Sequence, residues 1–226
     1  MDIDLFYTEK GEGEPIIFLH GNGENGGYFV NQVDAFAERY HVYLLDTRGH
    51  GKSPRGDAPF IISQFADDLA AFMDEKKIAK AHVLGFSDGG NIALVFAIRY
   101  PEKTDKLILN GANLDFEGLT EDCKDWINGA YSKALERYRT DPAALRDVEM
   151  IGLMVNDPNI PPAELAKISA PTLVIAGTND LIRREHTELI AAGIKNSRLV
   201  FIEGDHFIAH DAPEKFNAAT LKFLSE

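Results

Sequence analysis

The chain has 226 residues, 45% hydrophobic and 26% charged, the composition of an ordinary globular protein with enough length to bury a full core without disulfide or metal support. Its 36 acidic and 23 basic residues leave a formal charge of −13, which repels phosphate backbones and anionic lipid and weighs against nucleic-acid or membrane partners. The single cysteine, Cys123, suits a reducing compartment, and neither the acidic start nor any apolar run reads as a targeting or spanning segment, so a cytoplasmic protein is expected.

In chain order, aliphatic and β-branched runs at 3–7, 15–19, 41–45, 81–85, 106–109, 172–176 and 198–202 predict strands. Several are apolar on consecutive residues, as in a sheet covered on both faces. Between them the spacing predicts helices over 28–39, 63–77, 87–100, 185–194 and 213–224. In 63–77, Phe65, Leu69, Phe72 and Met73 form a stripe opposite Asp67, Asp68, Glu75 and Lys76. Strand and helix in alternation imply crossover connections. The expected class is therefore α/β, with a mostly parallel central sheet covered by helices on both faces.

Residues 115–168 break the rhythm with no strand pattern, and an unstructured loop of that length does not suit a compact domain. Thr120 and Asp141, the latter followed by Pro142, read as helix starts. We expect a core from residues 1–114 and 169–226, with 115–168 as a short lid or cap of two or three helices. Trp126, Tyr131, Tyr138, Met150, Leu153 and Met154 would either dock this segment or line a substrate pocket.

Gly85-Phe86-Ser87-Asp88-Gly89 fits G-x-S-x-G, a weak string by itself. Its context strengthens it: a predicted strand precedes it, and a helix apolar on all sides over 92–98 follows. A serine at such a corner sits on a strained turn, its hydroxyl over the carboxyl ends of the strands. A serine hydroxyl is a feeble nucleophile without a base and a group to orient that base. His206 follows the strand at 198–202, Asp180 follows the one at 172–176, and His20-Gly21-Asn22-Gly23 follows the one at 15–19.

On these landmarks, together with the loop Asp46-Thr47-Arg48-Gly49-His50-Gly51-Lys52-Ser53, the whole chain resembles the α/β-hydrolase superfamily, near its small esterases, thioesterase-like enzymes and carbon–carbon bond hydrolases. The order Ser, Asp, His is the one that fold uses. The resemblance implies that Ser87 attacks an acyl carbonyl, His206 shuttles the proton and Asp180 orients His206. It further implies that the backbone N–H groups of Asn22 and Asp88 meet the oxyanion. The expected function is hydrolysis of a small ester, thioester or related acyl compound through an acyl-enzyme, without cofactor or metal. Alternatives on the same residues are a carbon–carbon bond hydrolase or an aminopeptidase, or a small-molecule receptor that retains the fold.

Competing assignments stay open. His210, four residues after His206, is the rival base, and Asn113 or Asp115 the rival acid. Asp46 and Arg48 could pair to pin their turn, His20 and His50 could hold loops by side-chain bonds, and His186 belongs to a solvated helix face. Asp88 is either a helix N-terminal carboxylate or a contact for a cationic substrate group. The charge balance discourages polyanionic substrates, with Arg183 and Arg184 as a local exception. No H-E-x-x-H motif occurs, and Gly21, Gly23 and Gly26 lack a clear ribose anchor for a dinucleotide.

Overall fold

In the computed structural model, which describes residues 2–226, the aliphatic runs become one seven-stranded sheet. Its strands are β1 (Tyr7–Lys10), β2 (Glu14–Leu19), β3 (Tyr40–Leu45), β4 (Ala81–Phe86), β5 (Thr104–Asn110), β6 (Thr172–Gly177) and β7 (Ser197–Ile202). The spatial order is β1-β3-β2-β4-β5-β6-β7, with β1 antiparallel to β3 and every other neighbour parallel. The helices are α1 (Val30–Ala37), α2 (Ile62–Glu75), α3 (Asp88–Arg99), α4 (Glu121–Tyr138), α5 (Leu145–Asn156), α6 (Arg184–Gly193), α7 (Ile208–Asp211) and α8 (Pro213–Leu224).

Successive side chains of a strand point to opposite faces, and β2 shows the result. Ile16 and Phe18 pack with Phe36 of α1 and Phe216 and Phe223 of α8. Ile17 and Leu19 pack on the other face with Phe65 and Leu69 of α2, Ile92 of α3 and Ile190 of α6. Both faces are thus dry, which is why the strand reads as an unbroken apolar run. Each such buried side chain contributes about 1.5–3 kcal/mol by leaving water.

Two expectations shift. The first strand is Tyr7–Lys10 rather than 3–7: Ile3 and Leu5 are buried in the core, but the ladder to β3 begins only where Tyr7 pairs with Leu45. The helix expected over 28–39 opens as a 3-10 turn, Gly26–Phe29, in which the Asn25 side chain accepts from Gly27 N. Two glycines in succession disfavour an α-helical first turn.

The loop after β3 is pinned differently from the expected Asp46–Arg48 pair. The Asp46 carboxylate accepts from the N–H groups of Gly26 and Lys52, each at 2.8 Å. Arg48 is fully buried and forks onto Asp68, with Nε to Oδ2 and Nη2 to Oδ1 both 2.7 Å. It also reaches Asp2 at 2.6 Å.

Residues 115–168 contain α4, α5 and three 3-10 turns, with no strand. Asp141 accepts from Ala143 N at 2.9 Å with Pro142 in the first turn, whereas Thr120 holds the N-cap position without a side-chain bond. Several ties fix the segment to the sheet body, among them the following. Leu153 enters the main core, Arg55 Nη2 meets Glu149 Oε1 at 2.5 Å, and the Asp157 carboxylate accepts from Ile62 N.

Candidate active site

Between β2 and β4 the chain changes direction across the sheet, and open α/β sheets bind ligands at the carboxyl ends of strands at such a point. Leu19 pairs with Gly85, so the turn from His20 to Gly23 stands beside the corner at Ser87. Ser87 has φ 53° and ψ −122°, a backbone state that L-residues avoid and that costs on the order of 1–3 kcal/mol. It is held there by Ser87 N donating to Asn110 O at 2.8 Å and Ser87 O accepting from Asn91 N at 3.0 Å. A Cβ on Gly85 would strike the carbonyl of Gly89, and one on Gly89 the carbonyl of Leu19. Glycine at both positions lets strand, helix and neighbouring turn close to backbone contact.

The turns after β6 and β7 bring Asp180 and His206 together. Nδ1 of His206 donates to Oδ1 of Asp180 at 2.6 Å, and side chain and side chain are only 6% and 3% exposed. Asp180 also accepts from the N–H groups of Ile182 at 3.0 Å and Gly177 at 3.2 Å. Burial pushes the Asp180 carboxyl up, but the His206 bond and charge and the two N–H groups outweigh it and hold it below its ordinary value. With its proton on Nδ1, the imidazole keeps Nε2 as an acceptor.

Ser87, Asp88 and His206 line one cavity of about 70 Å³. Cys123, Trp126 and Ile127 of α4 and Met154 of α5 wall it opposite, with Leu181 and Ile182 beside Asp180. Ser87 and His206 share this space without a formed hydrogen bond between them, whereas the His206–Asp180 bond is made. Bonds of the first kind commonly tighten only around substrate. A wider cleft of about 370 Å³ lies beside Arg55 and Glu149, and neither Ser87 nor His206 lines it.

Asn22 and Asp88 are joined by their side chains as well as by the turn geometry. Asn22 Nδ2 donates to Asp88 Oδ2 at 2.8 Å and to Met150 O of α5 at 2.7 Å. Asn91 Nδ2 donates to Asp88 Oδ1 at 3.3 Å and to Asn113 Oδ1 at 3.0 Å, and Asn91 Oδ1 accepts from Asn113 N at 2.8 Å. Burial raises the Asp88 pKa to about 6 against the pull of Asn22 and Asn91, with Asp157 adding to the rise. Among the described residues, the main-chain N–H groups of Asn22 and Asp88 have no main-chain acceptor. Gly21, by contrast, donates its N–H to Glu24 Oε2 at 3.1 Å.

The rival residues lie elsewhere or do other work. His210 is exposed and bonded to Asp211 at 2.7 Å. Asn113 reaches the cavity, but as a neutral member of the amide chain. Asp115 caps the next turn by accepting from Gly118 N at 3.0 Å. His20 and His50 do hold loops: His20 Nε2 accepts from Thr47 N at 3.0 Å, so its Nδ1–H faces Gly21 O at 2.7 Å, and burial lowers its pKa to about 4. His50 Nδ1 lies 2.9 Å from Arg48 O.

His186 corrects the sequence reading. It is buried rather than solvated, and its Nε2 accepts from Leu114 N at 2.9 Å. Arg183 donates to Glu117 O at 2.6 Å, while Arg184 pairs with Glu188 and stacks over Phe201. Neither faces the cavity. The Asn22–Asp88 link went unread in the sequence because its ends lie far apart and amide side chains carry no periodic signal.

Among the described residues no cluster of three or more His, Cys, Asp or Glu is arranged to hold a metal ion, and no helix is long and apolar enough to cross a membrane. The family model for the alpha/beta hydrolase fold matches residues 14–159. A protein named as a carbamate hydrolase, from Azorhizobium caulinodans, is 28% identical over the whole chain and 96% of its own length. The 2-hydroxy-6-oxo-6-phenylhexa-2,4-dienoate hydrolase of Comamonas testosteroni is likewise 28% identical, over the whole chain and 92% of its length. Among solved structures, the enol-lactonase of Burkholderia xenovorans superposes with a TM-score of 0.80 at 25% identity, covering 99% of this chain and 97% of the other. With a matching family model over most of the chain and named hydrolases among its relatives along nearly their full length, this protein is a hydrolase that belongs to the α/β-hydrolase family.

Proposed function

We propose that the chain is a serine hydrolase cleaving a small ester, thioester or related acyl compound through an acyl-enzyme. The observation that carries this reading is the 2.6 Å bond between His206 Nδ1 and Asp180 Oδ1 beneath a cavity that also receives the strained Ser87. Ser87 Oγ attacks the acyl carbonyl while Nε2 of His206 takes its proton. Asp180, held ionised, keeps the ring oriented and stabilises the imidazolium. The tetrahedral oxyanion is met by the N–H groups of Asn22 and Asp88, the latter at the N-terminus of α3, where developing negative charge is favoured. The proton on His206 then goes to the leaving group, and a water attacks the acyl-enzyme by the reverse sequence.

A space of about 70 Å³ walled by Ile127, Met154 and Leu181 suits a short acyl group. Residues 115–168 act as its lid. The named activities of the relatives support a second outcome on the same three residues, cleavage of a carbon–carbon bond or of a lactone. The lone thiol and the acidic surface support a cytoplasmic setting and a small-molecule substrate rather than nucleic acid or membrane.

The test is labelling with a fluorophosphonate probe, wild type beside Ser87→Ala, followed by p-nitrophenyl esters of increasing acyl length. Labelling that vanishes in Ser87→Ala, with fastest turnover on short acyl groups, is expected. A folded wild type that stays unlabelled would overturn the mechanism.

A further inference from the structure

The wall of the Ser87 cavity does not end at the cavity. On α4, Cys123, Trp126 and Ile127 line it, and the same helix carries Ala130, Lys133, Ala134 and Arg137 into an adjoining groove of about 480 Å³. Those positions recur at three and four residues and so lie along one side of the helix. α5 makes the opposite wall in the same way: Met154 faces the cavity, while Met150, Ile151 and Arg146 line the groove, Arg146 standing on the rim it shares with the wider cleft beside Arg55. Asn22 stands at the junction, lining the groove and bonded to Asp88, which lines the cavity. Cavity and groove are therefore successive compartments of one seam.

Their chemistry differs. Away from Ser87, Asp88, Asn113 and His206 the cavity wall is apolar, whereas the groove carries three cations and one carboxylate, Asp147, on a molecule of net charge −13. Arg137 is matched by Asp147 at 2.7 Å. Lys133 and Arg146 have no carboxylate partner among the described residues, the nearest acceptor of Arg146 being Gly49 O at 3.4 Å. Selection for solubility alone gives no reason to gather unpaired positive charge beside an oxyanion turn. At 1.5 Å per residue, the six residues from Ile127 to Lys133 span about 9 Å of helix.

Resting on the hydrolase reading above, we infer that the Lys133–Arg146 groove holds an anionic group, carboxylate or phosphate, carried by the substrate about 10 Å from its scissile carbonyl. Such a substrate is a half-ester or similar acyl compound with an apolar middle and one charged end. The groove selects among substrates and takes no part in bond breaking.

Two matched ester pairs test this: p-nitrophenyl hemisuberate against p-nitrophenyl octanoate, with the charge on the acyl side, and 8-butyryloxyoctanoate against octyl butyrate, with it on the alcohol side. In at least one pair the anionic ester is expected to show a kcat/KM about fivefold to tenfold higher, the size two exposed charge pairs supply. About 0.5 M NaCl should erode the ratio, and Lys133→Glu with Arg146→Glu should invert it. The corresponding alcohol-side phosphate ester tells the two anions apart.

A binding arm runs without turnover. Suberate should titrate the fluorescence of Trp126, the only tryptophan of the chain, and lose that effect in the charge-reversed variant. Brisk hydrolysis of the neutral esters with no anion preference in either pair, or a preference that survives charge reversal, overturns the groove assignment and leaves the hydrolase reading intact. Saturable suberate binding with no hydrolysis of any ester overturns the ester reading and keeps the anion site. No suberate binding and no preference removes the site altogether.

Discussion

Gly111 and His206 are in contact: a Cβ added to Gly111 would stand 2.7 Å from Cε1 and 2.9 Å from Nδ1 of the imidazole. Gly111 has φ +62° and donates its N–H to Ile175 O at 3.1 Å, so the backbone just beyond β5 is the shelf on which the ring rests. Gly111→Ala should displace the ring, strain the backbone, or both. A displacement near 1 Å at a reacting group lowers turnover by about 100-fold, and a non-glycine residue at that φ costs roughly 1 kcal/mol. Ester kinetics beside a denaturant melt should show the activity loss far exceeding what the stability loss explains.

On the proposed mechanism, Ser87→Ala and His206→Ala should each lower kcat by about 10⁴–10⁶, and the double variant by little more than either alone, because the groups act as a unit. Asp180→Asn should cost about 10⁴ by stabilising the wrong imidazole tautomer. Burst and steady-state kinetics on one activated ester check all four. Losses that multiply in the double variant would count against a shared proton path.

Asp88 gives a pH signature opposite to that of most carboxylates. Its folded pKa is raised to about 6 from an ordinary 3.8, so the folded state binds a proton more tightly than the unfolded chain. Between pH 7 and pH 4 the wild type should therefore gain stability relative to Asp88→Asn, by about 2 kcal/mol. Thermal melts of both proteins across that range test the sign. A wild type that loses ground to the variant on acidification would contradict the burial of an ionised Asp88.

Removing the Arg48 side chain should be among the most damaging single changes. Arg48→Ala leaves Asp68, 2% exposed, as an uncompensated buried charge, for a cost of about 3–5 kcal/mol. Arg48→Met together with Asp68→Leu should recover most of it by replacing the pair with apolar volume. Urea midpoints of the wild type and the two variants provide the comparison.

Enlarging the cavity should move acyl preference. Ile127 is 2% exposed and lines it, so Ile127→Ala opens room for one or two more methylenes, each worth about 1–3 kcal/mol of discrimination in a fitted pocket. The optimum along a p-nitrophenyl ester series should lengthen accordingly.

Local pattern and long-range pairing were legible to different degrees. The unbroken apolar runs of β2 and β6 announced a doubly covered sheet, and the glycines flanking Ser87 announced a corner where backbones meet. Both are signals contained within a few consecutive residues. Arg48 shows the limit: its true partners, Asp68 and Asp2, lie 20 and 46 residues away, and no spacing rule prefers them to nearby Asp46. His186 shows another, since charged neighbours on both sides suggested water where the fold supplies the Leu114 N–H. The cationic end of the seam was invisible for a related reason: Lys133 and Arg146 sit on different helices and become neighbours only when α4 and α5 pack.

The Asn22 amide grips the serine corner through Asp88 and α5 through the Met150 carbonyl at the same time. The upper segment is therefore not an interchangeable module. Transplanting residues 115–168 from a relative without a matching contact to residue 22 would leave one amide hydrogen idle and the glycine-rich turn slack. A chimera of that kind would inherit its donor's specificity only if the recipient turn travelled with the graft.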